Sequence, residues 1–190
     1  MEKLTMFSEE RVAQMAAFFL EKRGGRMAYI KLIKLLYLAD RAAMGKWGES
    51  MSGDCFVSMP KGPVLSQTYD LICGMESSAE AGWNHWIQGE TNYEVSLKKP
   101  VTRNDLDELS DAEIEILEDA FKSFGHLKRF ELTQYTHDHC SEWEDPHGSS
   151  FPIRPETVFR ALGKNEEQVQ AFVKQHNMQT QLDAVRSLLR

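Results

Sequence analysis

Apolar residues recur every three or four positions through much of this chain, and that spacing sets out most of its elements. Val12, Met15, Ala16, Phe19 and Leu20 share one face. Ser8 supplies a cap ahead of them, Glu9 and Glu10 an acidic first turn, and Gly24-Gly25 a stop, so a first helix is predicted between those marks. A second is predicted from about Met27 to Ala43, where "YIKLIKLLYLADRAAM" is apolar on most sides, as in a helix buried at the centre of a fold. The period then changes to two. Cys55, Val57 and Met59 alternate with Asp54, Phe56 and Ser58, predicting a short strand near 54–59 that the Pro-Lys-Gly-Pro run ends. Val64 to Cys73 is compatible with a helix closed by Gly74. Residues 75–91 carry Trp83 and Trp86 without a clear period.

A second alternating run, near 92–98, sets Tyr93, Val95 and Leu97 against Glu94, Ser96 and Lys98 and stops at Pro100, which predicts a second strand. Ser110 and Glu113 form a capping box before Ile114, Leu117, Phe121 and Phe124, which predicts a helix closed by Gly125. A short helix is expected near Phe130 to His137, then a loop with three prolines, then "PETVFRALG" with proline in its first turn. Asn165 opens a last helix with Val169, Phe172 and Val173 on one face, and Met178, Leu182, Val185 and Leu189 carry the spacing on. The expectation is an α+β, predominantly α-helical fold: about six helices around the central helix 27–43, with a small antiparallel β element. Residues 1–163 form one domain. Residues 164–190 form a helical extension, packed on that domain or used to bind a partner.

Composition narrows the class. The 190 residues are 42% apolar and 27% charged, as in an ordinary globular domain. A net charge of -7 argues against nucleic acid as partner, because phosphate contacts draw on basic surface. Three cysteines are too few for a disulfide scaffold and fit a reducing compartment. The N-terminus has no long apolar core, and "MAAFFL" is far too short to span a bilayer. Together these predict a cytoplasmic protein without a membrane segment.

Charged positions on the central helix raise the first candidates. Lys31, Lys34 and Arg41 fall on one narrow stripe, either a solvated edge or a basic strip for an acidic partner. Asp40 sits opposite, among apolar neighbours, where an acid needs an ion-pair or hydrogen-bonding partner.

"HDHCSEWEDPH", residues 137–147, holds three of the six histidines and one cysteine. Adjacent His139 and Cys140 do not give zinc-like ligand pairs, and no second pair exists elsewhere. Cys140 as nucleophile with His137 as base fits one helical turn, but Asp138, Glu142, Glu144 and Asp145 raise a thiol's pKa. No phosphate loop or nucleophile elbow is present. The plainer reading is a helix C-terminus whose histidines meet free carbonyls, with Trp143 folding the exit loop back on the core. His137 is then expected to bond a backbone carbonyl or a buried acid such as Asp40, with His139 and His147 more exposed.

Three segments, "KLIKLLYLADRAAMGKWGES", "FVSMPKGPVLSQTYDLI" and "ELTQYTHDHCSEW", together resemble the Panacea domain, the SocA-like antitoxin family. The resemblance rests on Lys31 to Ala39 with Asp40 following, on Gly62-Pro63-Val64, and on Leu132, Thr136, His137 and Trp143, in that order, and extends roughly over residues 8–160. It implies a mostly helical fold with a small antiparallel sheet, in which Asp40, Gly62, Pro63, Val64, Thr136, His137 and Trp143 are structural. It also implies a protein without catalytic residues or cofactor. Such domains are found beside a cognate toxin in prophage or mobile regions and neutralise it by direct contact, in one described mode by delivering it to an AAA+ protease. The expected contact surfaces are Lys31, Lys34 and Arg41, and the C-terminal helix around Val169, Phe172, Leu182 and Val185, where self-association competes. A DNA-binding regulator or phage-associated protein, and a small metal- or thiol-dependent hydrolase built on His137, His139 and Cys140, are the competing readings.

Overall fold

The computed structural model describes residues 7–75, 77 and 79–188. Its axis is α2 (Tyr29–Trp47). Leu32, Ile33, Leu35, Leu36, Tyr37, Leu38 and Ala39 run through every side of that helix and are all buried, so it can sit only where neighbours surround it. Around it pack α1 (Glu9–Lys22), α3 (Ser66–Ile72), α5 (Asp111–Phe124), α6 (Arg129–His139) and α7 (Pro155–Ala161). The short α4 (Trp83–Trp86) lies against α1, and α8 (Glu166–Leu188) against α7. The caps legible in the sequence are made: Ser8 accepts from the Arg11 N–H at 3.3 Å, and Ser110 and Glu113 cap each other's backbone.

Two three-stranded antiparallel sheets complete the fold. One has the order β1 (Arg26–Ala28), β5 (Glu94–Leu97), β4 (Ile87–Glu90); the other has β3 (Gly62–Leu65), β2 (Phe56–Met59), β6 (Phe151–Pro152). The α+β, mainly helical expectation therefore holds, with eight helices among the described residues where about six were expected. The largest local correction is β3. A short apolar run such as Val64-Leu65 does not distinguish a buried strand from a helix start. Pairing decides it: Met59 faces Gly62 and Phe56 faces Leu65 across a two-residue turn, and the helix begins only at Ser66.

Two backbone positions matter later. Gly62 has φ +93°. The β4–β5 hairpin turns through Thr91–Tyr93, with Asn92 and Tyr93 both left-handed at φ 62° and 61°. A side chain in that region costs about 1–2 kcal/mol, so Tyr93 stands where hairpin chemistry asks for glycine.

Among the described residues, α8 is docked through its first turns. Asn165 and Gln168 cap it reciprocally at 2.9 and 3.0 Å, and Val169 is buried. The Phe172 ring lies 5.2 Å from Phe159 and directly over Gly48, where an added Cβ would come within 2.5 Å of it. Gln175 donates to the Trp47 carbonyl at 2.9 Å. Beyond that, Met178, Leu182 and Val185 are each more than half exposed. They continue the apolar spacing but not the apolar face: at 100° per residue their stripe is turned roughly 160° from Val169, Phe172 and Val173. Leu189 lies outside the described residues.

Candidate functional site

The residues singled out by the sequence converge on one side of α2, but they do so inward. Lys34 is 0% exposed and donates to the Pro63 carbonyl at 2.6 Å. Loss of solvent around the ammonium lowers its pKa to about 7. Lys31, three residues earlier, donates to the carbonyls of Gly125 and Leu127 at 2.6 and 2.7 Å. It thereby caps the C-terminal end of α5, whose last carbonyls have no intrahelical donor. Arg41 forks onto Glu142, Nε at 2.6 Å and Nη2 at 3.1 Å, and Tyr37 donates its hydroxyl to the same carboxylate at 2.5 Å. The expected strip of cations is thus neither a solvated edge nor an open basic surface. Lys31 and Lys34 are buried and Arg41 nearly so, and each grips a segment remote in sequence.

Gly62 is the contact between these groups and α6. A Cβ there would lie 2.9 Å from Lys34 Nζ, 2.9 Å from Thr136 Oγ1 and 3.0 Å from the His137 ring, so the left-handed glycine is required by space as well as by φ. Thr136 turns its hydroxyl to the Thr133 carbonyl at 2.8 Å. His137 lies flat on Trp143, with centroids 4.1 Å apart and planes 2° apart, and Trp143 Nε1 donates to the Met59 carbonyl at 2.9 Å. Desolvation, and then the nearby Lys34 charge, hold His137 below the usual imidazole range, against a raising hydrogen bond with the Lys61 backbone. Among the described residues His137 Nε2 is buried without a hydrogen-bond partner, and Asp40 is not its partner.

Asp40 is fully buried and accepts the Met51 N–H at 2.8 Å, the Ser52 N–H at 3.2 Å and the Ser52 hydroxyl. It caps the turn that leaves α2 rather than forming an ion pair. Burial nevertheless raises it to about 7. The Ser52 hydroxyl also accepts from the Asp54 N–H at 3.0 Å, and Asp54 accepts from the Gln67 and Thr68 N–H groups at 3.0 and 2.8 Å. One chain of hydrogen bonds therefore links the end of α2 to the start of α3.

The 137–147 cluster disperses. His137 faces Trp143, while His139 is exposed, stacked on Tyr135 and 3.1 Å from that residue's carbonyl. His147 is exposed as well. Cys140 is buried, and burial, with Glu142 adding to it, pushes its thiol up to about 12, where little nucleophilic thiolate exists. Among the described residues no group of three or more His, Cys, Asp or Glu side chains could hold a metal ion. The sequence did not single out Glu142, Ser52 or Asp54. Only Tyr37 and Arg41, four apart on one face of a buried helix, signal that a common acceptor is needed.

A protein-family description, Antitoxin SocA-like, Panacea domain, matches residues 32–144. The chain belongs to that family. The match opens within α2 and closes one residue after Trp143, so it contains the whole set of contacts among Lys34, Gly62, Thr136, His137 and Trp143. α1, α7 and α8 lie outside it. No curated protein and no solved structure matches the chain. The Panacea segments are thus three pieces of one internal joint: α2, the β2–β3 turn and the end of α6, locked by a glycine and a stacked histidine–tryptophan pair. Among the described residues no helix is long and apolar enough to cross a membrane.

Proposed function

We propose that this Panacea domain is the antitoxin of a toxin–antitoxin pair and neutralises a cognate protein toxin by direct contact, in the cytoplasm and without catalysis of its own. The family match over residues 32–144 carries the reading. The chemistry of the joint is consistent with it: the thiol is held protonated, the histidines diverge, and each buried charge already has an internal acceptor or donor. In this reading such groups serve to hold the fold together. The net charge of -7 favours fast encounter with a basic toxin. Delivery of that toxin to an AAA+ protease is the finer form of the proposal.

Co-expression with the product of the adjoining gene is the test. Relief of its toxicity and co-purification of the two chains are expected; persistent toxicity with no complex would end the antitoxin reading. The half-life of the toxin separates the two forms of the proposal. A shortened half-life supports delivery to a protease, and an unchanged one supports simple blocking.

A further inference from the structure

On the outer side of the joint, next to the β2–β3 turn, lies a cavity of about 190 Å³. Tyr29, Ile33, Val64 and Tyr69 wall it. A cavity of about 150 Å³ accepts benzene, so this one has room for one ring-sized side chain. Its two charged lining residues have the same sign: Lys34 at the buried end and Lys61 at the exposed end, with no acid among the residues that line it. In a chain of net charge -7 that is a local reversal. The mouth is extended by a row of tyrosines: the Tyr29 ring lies 6.4 Å from Tyr69 on one side and 6.2 Å from Tyr93 on the other. Tyr93 is 76% exposed, although its backbone is left-handed. Packing against the core therefore does not explain why a tyrosine occupies that turn. Rigid tyrosines around a pocket that one anchor side chain can fill are the usual make-up of a binding hot spot, and strained backbone collects at such sites.

We infer that this tyrosine-rimmed cavity is the anchor point for the partner protein, and that it receives an aromatic side chain flanked by acidic residues. The ring enters the cavity beside Tyr29 and Tyr69, against Ile33 and Val64. A neighbouring carboxylate then meets Lys61 at the rim. The inference rests on the antitoxin reading for the identity of the partner, but the recognition chemistry can be tested without it.

The test titrates three capped tripeptide amides, Glu-Phe-Glu, Lys-Phe-Lys and Glu-Ala-Glu, into the ¹⁵N-labelled full chain. Glu-Phe-Glu is expected to give saturable amide shifts at Tyr29, Lys61, Gly62 and Tyr69. Lys-Phe-Lys should bind about fivefold more weakly for want of one rim ion pair, and Glu-Ala-Glu should give no saturable shift. Lys61→Glu is exposed and leaves the fold intact, and it should reverse the preference between the first two peptides. Ile30 also lines the cavity, and Ile30→Trp, which fills it, should abolish binding while the rest of the spectrum stays dispersed. Equal shifts with all three peptides, shifts elsewhere on the surface, or no saturation would overturn the inference. The same two variants are then co-expressed with the toxin. Full relief of toxicity by both would overturn the anchor and leave the antitoxin reading standing. Peptide recognition without any relief by the parent chain would do the reverse.

Discussion

α2 and the distal half of α8 invert the usual rule in opposite senses. α2 carries Lys31, Lys34, Asp40 and Arg41 into the interior, and the far turns of α8 carry Met178, Leu182 and Val185 to the outside. The difference lies in partners. Each of these four charged groups meets a carbonyl, an N–H or a carboxylate supplied from outside α2. The apolar stripe of α8 has turned away from the face that holds its first turns. Charge alone therefore does not mark an interaction surface in this molecule, and apolarity alone does not mark its core.

The largest effect should come from breaking the best-satisfied partnership in α2. Glu142→Ala leaves the Tyr37 hydroxyl and the Arg41 guanidinium without their shared acceptor, and losing one member of a buried pair costs about 3–5 kcal/mol. Urea unfolding should show that loss, and a change below about 1 kcal/mol would mean the pair is not the tie described. Next come the buried titrating groups. Asp40 titrates at about 7 in the folded chain against an ordinary 3.8. Between those values the folded state holds a proton that the unfolded chain has released, so this group makes stability fall as pH rises from 3.8 to about 7. Lys34 titrates at about 7 against an ordinary 10.5. Between these the unfolded chain holds the extra proton, so stability rises with pH from about 7 to 10.5. Urea midpoints at several pH values should show Asp40→Asn flattening the acid limb and Lys34→Met the alkaline limb; profiles parallel to the parent would refute both assignments. The smallest effects separate the two halves of α8. Phe172→Ala removes the ring over Gly48 and should cost about 2 kcal/mol for a half-buried aromatic. Leu182→Ser should change stability by less than about 0.5 kcal/mol. An equal cost at both positions would show that the distal stripe is covered within the chain.

Much of the architecture was legible because α2 is apolar on most sides and because Ser8, Ser110 and Asn165 announce helix starts. What escaped depended on pairing between distant segments. Val64-Leu65 reads equally well as strand or helix until Phe56 and Val57 lie beside it. Lys31 and Arg41 look like surface cations because the carbonyl of Gly125 and the carboxylate of Glu142 are 94 and 101 residues away. Gly62, Thr136, His137 and Trp143 were legible as residues of a family pattern, but their meeting in space was not. Its cause, a space too small for a Cβ beside a buried ammonium, becomes visible only in three dimensions. The spacings within Val169–Val173 and within Met178–Val185 are helical, but the five-residue step from Val173 to Met178 turns the second set away from the first.

The long reach of α2's cations has a consequence during synthesis. Arg41 leaves the ribosome 101 residues before Glu142, an interval of roughly 5–20 s at ordinary elongation rates. For that time Arg41 and Tyr37 lack their shared acceptor, while Lys34 and Asp40 already have partners 29 and 11 residues on. The order of translation therefore makes the exit loop after α6 the last of the ties to the buried charges of α2.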